Sequence, residues 1–205
     1  TGGTLQLGSA GTLGSGSYAG AISISSGATL NYASSAAQTL SGVISGSGGL
    51  RMAGSNAITL SNANTFSGGV SLTSGTFLFG NAGAAGTGLF DINGGAIGSS
   101  VAATLTVTSG SFVISQNFDA APAAGGQLTI NAPITLANGT RTINVSGGSG
   151  FNLYGGISDG GNGYGLIKTG AGVIRIGGVN TYSGDTKAVG GISVWTEFAL
   201  QNSAI

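Results

Sequence analysis

Short apolar or alternating runs separated by small, glycine-rich turns recur along the whole chain. They include TLQL at 4–7, AITL at 57–60, TFLF at 76–79, TLTV at 104–107, FVIS at 112–115, QLTI at 127–130, RTINV at 141–145 and VIRI at 173–176. β-branched and aliphatic residues at every second position predict short strands with one face buried. No segment sustains the i, i+3, i+4 apolar spacing of a helix, and glycine interrupts every window of helical length. The expected chain is all-β, with many short strands and no significant helix.

Glycine supplies 43 of the 205 residues and proline only 2. Without a G-X-Y period this composition excludes collagen, and the strand-like runs between the glycines argue against a disordered, polar chain. Five basic and five acidic residues give a formal net charge of zero. A surface with no Lys/Arg cluster offers nothing to nucleic acid or to anionic lipid, so neither is expected as a partner. Weak self-repulsion instead favours association through ends or edges. There is no cysteine, so the fold must hold by strand ladders and packing alone. No apolar run reaches the length of a membrane span, and no insertion of this segment is expected. The chain begins TGGTLQL, without Met and without a basic-then-apolar leader, and reads as a processed or excised piece of something longer.

Self-comparison exposes an internal repeat. GLRMAGSNAITLSNANTFSG at 49–68 aligns without a gap on GLIKTGAGVIRIGGVNTYSG at 165–184, an offset of 116 residues. ATLNYASSAAQTLSGVIS at 28–45 aligns on RTINVSGGSGFNLYGGIS at 141–158, an offset of 113, and GTLQLGSAGTLGSG at 3–16 aligns on GTFLFGNAGAAGTG at 75–88, an offset of 72. Repeat copies therefore lie around 3–16, 28–88 and 141–205, with a less repetitive but strand-like middle block at 89–140. The whole of 1–205 is expected to form one solenoid. Parallel strands stacked about 4.8 Å apart in coils of roughly 20 to 30 residues would make about seven to ten turns.

The repeated Asn-Thr-aromatic-Ser-Gly segment reads as a corner. Asn64 and Asn180 suit a left-handed turn, Gly68 and Gly184 permit positive φ, and Phe66 and Tyr182 plug the interior.

On these residues, above all GLIKTGAGVIRIGGVNTYSGDT at 165–186 with weaker copies at 49–70 and 3–16, the chain resembles the autotransporter-associated β-strand repeat, also called the passenger-associated transport repeat. The resemblance implies a right-handed parallel β-helix in a secreted or surface-displayed bacterial protein, often the stalk of a passenger. It also implies an extracellular or cell-surface location.

The candidate chemistry is sparse. With no His and no Cys, Ser-His and Cys-His nucleophiles are excluded, and zinc loses its usual ligands. Five acids remain: Asp91, Asp119, Asp159, Asp185 and Glu197. Asp159 and Asp185 lie 26 apart, close to one coil, and Asp91 and Asp119 lie 28 apart, so either pair could stack as acid and base of a polysaccharide-acting enzyme. Their turn-like contexts favour caps of backbone N–H groups instead. SDGGNG at 158–163 lacks the nonapeptide of stacked calcium sites, and no metal or cofactor is expected. NGT at 138 and NVS at 144 read as turn residues between rungs, not glycan acceptors. Lys168 and Arg175 read as outward residues that discourage edge pairing, among the scattered Arg51, Arg141 and Lys187. Trp195, the only tryptophan, is a candidate exposed aromatic for a sugar or a partner, against a core or end-cap role.

The expected function is a non-catalytic extracellular structural or adhesive segment, a stalk or passenger whose partners are host or matrix glycans or proteins. The alternative is a filament subunit that stacks head to tail on itself. A polysaccharide-acting enzyme stands a distant third.

Overall fold

A strand that buries every second side chain leaves its N–H and C=O groups pointing sideways. In this chain those groups pair with the coil below and the coil above. The computed structural model describes residues 2–121, 126–147, 150–190 and 192–194. It is all-β, its parallel strands stacked as a β-solenoid of about eight turns, with 2% helix. The first sheet holds eight strands, running from Thr4–Ser9 through Thr29–Ser34, Gly49–Met52, Val70–Leu72, Leu89–Ile92, Ser111–Ile114 and Ile134–Leu136 to Ile157–Ser158. The second holds nine: Ser17–Tyr18, Gln38–Leu40, Ala57–Leu60, Thr76–Phe79, Ala96–Ser99, Phe118–Ala120, Arg141–Val145, Leu166–Thr169 and Thr186–Ala188. A third face carries a two-stranded ladder at Ile22–Ser23 and Ile44–Ser45. Further along it carries a five-stranded one from Leu105–Val107 through Leu128–Ile130, Gly150–Leu153 and Val173–Ile176 to Ile192–Val194.

Register fixes the length of each coil. In the first sheet Thr4 pairs with Thr29, Leu30 with Leu50, Leu50 with Val70, Val70 with Phe90, Phe90 with Phe112, Phe112 with Ile134, and Ile134 with Ile157. In this sheet the coils therefore run from 20 residues in the middle to 25 at the start. The middle block, weak in repeat signal, keeps the same register as the rest. It also supplies part of the aromatic core: the Phe90 and Phe112 rings stack 5.1 Å apart, and Phe77 meets Phe90 edge-on at 5.0 Å. Alternation holds strand by strand, with Leu50, Met52, Ile58, Leu60, Phe77 and Phe79 all buried. Such aromatic contacts in successive coils add to the area they bury.

The repeats are not superposed by a whole number of coils. Gly49–Met52 lies in the first sheet, and its counterpart Leu166–Thr169 lies in the second. Ala57–Leu60 lies in the second, and Val173–Ile176 in the third. Likewise Thr4–Ser9 lies in the first sheet and its counterpart Thr76–Phe79 in the second. Five steps of the first-sheet register lead from Leu50 to Ile157, and the chain then advances one further face to reach Leu166. The same sequence thus serves two different faces of the rod. The physical reason is that all three faces impose one pattern, an inward alternation followed by a tight corner.

Candidate functional site

The Asn-Thr-aromatic corners sit where the strand ladder gives way. Asn64–Thr65 lies above Ile44–Ser45 on the third face, and Asn180–Thr181 above Ile157–Ser158 on the first: the N–H of Thr65 donates to Ile44 O at 2.9 Å and that of Thr181 to Ile157 O at 2.8 Å. Neither asparagine has positive φ, and neither Gly68 nor Gly184 does. That corrects the left-handed turn expected from sequence. Asn64 is buried; its Oδ1 accepts from the N–H of Ile44 at 2.8 Å, and its Nδ2 donates to Ala84 O at 2.7 Å. Asn180 Oδ1 accepts from the N–H of Ile157 at 2.7 Å. The side-chain amide therefore stands in for a backbone amide and ties one coil to the next where the ladder is interrupted. Its partner segment is GVIS at 42–45 or GGIS at 155–158, one coil below. The repeat alignment places these segments at the ends of the 28–45 and 141–158 copies and does not reveal that their N–H groups donate to the asparagines.

The two corner glycines are required by close approach. A Cβ on Gly68 would lie 2.3 Å from the carbonyl carbon of Gly48, and one on Gly184 would lie 2.5 Å from Gly163 O. Phe66 and Tyr182 are fully buried, and the Tyr182 hydroxyl lies 2.7 Å from Thr186 Oγ1. Trp195 and Glu197 lie outside the described residues.

The acids do not form the stacked pairs expected from their spacing. Asp91 is in the first sheet and Asp119 in the second. The residue one coil above Asp159 is Ser183, not Asp185, because this coil is shorter than the 26-residue interval. Three of the acids have local partners instead: Ser115 Oγ donates to Asp91 Oδ1 at 2.5 Å, and Asn144 Nδ2 donates to Asp119 Oδ1 at 2.8 Å. Asp159 is buried and accepts from the N–H groups of Gly161 at 2.9 Å, Tyr164 at 3.0 Å and Ser183 at 3.2 Å, and from Ser183 Oγ at 2.9 Å. Burial raises its pKa, but these donors outweigh that and hold the carboxyl down at about 2. Among the described residues no group of three or more His, Cys, Asp or Glu could hold a metal ion.

Lys168 is buried, which corrects its outward reading. It occupies the inward row beside Ile143, at the position equivalent to buried Met52, and its ammonium donates to Gly170 O. Desolvation lowers its pKa from the ordinary 10.5. Arg175 is half-buried on the outer side of its strand, with a guanidinium nitrogen 3.4 Å from Asn152 Oδ1. Arg141 also turns inward; its Nε donates to Ala137 O at 2.8 Å. Asn138, at φ 62, is a turn residue, whereas Asn144 lies in a strand and not in a turn.

A surface hollow of about 450 Å³ lies over the second sheet and is lined by Thr76, Ala96, Asn117, Asp119, Thr142 and Asn144, among others. No family model, no curated protein and no solved structure matches this chain.

Replacing Asn64 by Ala strands the Ile44 N–H and the Ala84 carbonyl. The expected loss is about 1–3 kcal/mol, read as a lower denaturation midpoint at an unchanged β-sheet circular dichroism spectrum.

Asp159 contributes stability that is fully present above the ordinary value of 3.8 and lost as pH falls through about 2. The stability gap between the native chain and the D159N variant should therefore be widest above about pH 4 and close toward pH 2 in chemical denaturation.

For Lys168 the slope with pH has the same direction, but the charged form is the destabilising one. The unfolded chain holds the proton more tightly, so stability rises as pH climbs toward 10.5. K168M should stabilise the chain by about 1 kcal/mol at neutral pH and abolish that rise, which denaturation at neutral and alkaline pH would measure.

Proposed function

We propose that the chain is a non-catalytic structural or adhesive segment, a stalk or passenger of a protein displayed outside a bacterial cell, with host or matrix glycans or proteins as partners. The observation that carries this reading is the division of labour within each coil. Inward positions are spent mainly on an apolar core, and outward positions are mainly polar, as in the first-sheet row Ser71, Asp91, Val113 and Thr135, which holds one apolar residue among two hydroxyls and an acid. A long, neutral, hydrogen-bonding surface on a stiff rod suits projection and contact more than turnover. The resemblance of residues 165–186 to the autotransporter-associated repeat supports the extracellular location. The enzyme reading is weaker still, since its acid pairs lie on different faces or out of register.

A filament of stacked copies is the second reading. It is favoured by the near absence of charge, five basic and five acidic residues, which leaves little self-repulsion between copies.

Negative-stain microscopy with light scattering over a concentration series separates the two. Monodisperse short rods at every concentration are expected for the stalk. Uniform fibres whose length grows with concentration would replace it with the polymer.

A further inference from the structure

We propose that the outer face of the second sheet carries a groove for a linear, uncharged polysaccharide laid parallel to the solenoid axis. This deepens the adhesive form of the function proposed above and rests on it. Two hollows, of about 450 and 290 Å³, flank the same segment, residues 140–142. The first reaches back to the strand Thr76–Phe79 and the second forward to Thr186–Ala188, so together they cross six consecutive strands. At about 4.8 Å per coil that is a track about 24 Å long. It is low because Gly95 and Ala96 form its floor in the first hollow, and Gly163 and Gly184 line the second.

The polar groups along the track are held in place and only half used. Asn117 Oδ1 accepts from the N–H of Thr142 at 2.8 Å, which fixes the amide and leaves its two N–H donors free. Asn144 donates to Asp119 Oδ1 at 2.8 Å, which leaves the second carboxylate oxygen as an acceptor. Donors and acceptors side by side on adjacent coils match vicinal hydroxyls, each of which both donates and accepts. Because neighbouring side chains hold these groups, their ordering cost is met before any ligand arrives.

The chemistry of the track also selects against other partners. The strands beneath it from Thr76–Phe79 to Leu166–Thr169 pair with neighbours on both sides, so an extended peptide cannot be inserted among them as a further strand. Asp119 and Asp185 with Lys187 leave the track a net charge of only −1, so a polyanion is disfavoured and a polycation finds little to hold it. A ligand that repeats along its length fits a surface that repeats along its axis.

The test uses the full, isotope-labelled chain titrated with hexasaccharides of β-1,4-glucose, α-1,4-glucose and β-1,4-N-acetylglucosamine. With at least one of them, the side-chain amides of Asn117 and Asn144 and the backbone amides of 95–96 and 117–119 should shift. D119A and N144A, each with an unchanged circular dichroism spectrum, should weaken that binding about tenfold or more, and D119N should keep most of it. Absence of shifts with all three at about 10 mM, or an affinity unchanged in D119A, overturns the groove. Monodisperse rods without saccharide binding would remove the groove and leave the stalk, whereas concentration-dependent fibres would remove the stalk itself.

Discussion

The ladder of backbone hydrogen bonds between successive coils is the constraint on which everything else rests. Once a strand in one coil is paired in parallel with the strand above it, residues in register are fixed about 4.8 Å apart and every second side chain must face the interior. With 205 residues and no disulfide, the chain has no other device of comparable reach. Where the ladder is interrupted, at a corner, the unpaired N–H of the coil below must find another acceptor or cost free energy. Asn64 and Asn180 provide one by placing a side-chain amide where a backbone amide would be. The glycines beside them let the coils pass within contact distance. The Asn-Thr-aromatic-Ser-Gly segment is thus a substitute for the ladder at the points where a closed coil cannot continue it.

The fold class was legible because alternation and glycine punctuation act locally, and a parallel ladder converts local pattern directly into a stack. The corner aromatics were legible for the same reason: Phe66 and Tyr182 stand alone among small residues and can only fill an interior. What stayed hidden depended on coil length. A pair of acids 26 or 28 apart stacks only if the coil between them has that length, and the coils here run from 18 to 25 residues. Asp91 and Asp119 therefore fall on different faces. The left-handed reading of Asn64 rested on intrinsic preference, and a tertiary partner 20 residues away outweighed it. Lys168 misled because charge was read as outward, while alternation set by Leu166 in the same strand places it inside. The match of Lys168 to buried Met52 in the aligned copy carried that information.

The same constraint separates core from surface. An inward position must be apolar, or have its polar end hydrogen-bonded as at Arg141 and Lys168, whereas an outward position faces only its neighbours in the row and water. The outer rows can therefore change freely without disturbing the stack, which is where recognition on a solenoid resides. The row from Ala96 through Asp119 to Asn144 shows this freedom: a small residue, an acid and an amide follow one another in strict register.

The one-face rotation between repeat copies extends that separation. If copies returned in phase, each corner would lie above its own equivalent and the rod would present one specialised edge. Instead, the corner that stands on the third face at residues 64–68 stands on the first at 180–184. Corners interrupt the ladder and demand glycine, so they leave little room for outward side chains of any size. Moving them around the axis leaves the second sheet paired without a break from Ser17–Tyr18 to Thr186–Ala188, and its nine strands are the longest continuous ladder in the described residues. A surface that repeats over many coils needs an unbroken ladder, and among the described residues the second sheet offers nine strands of it and the first sheet eight.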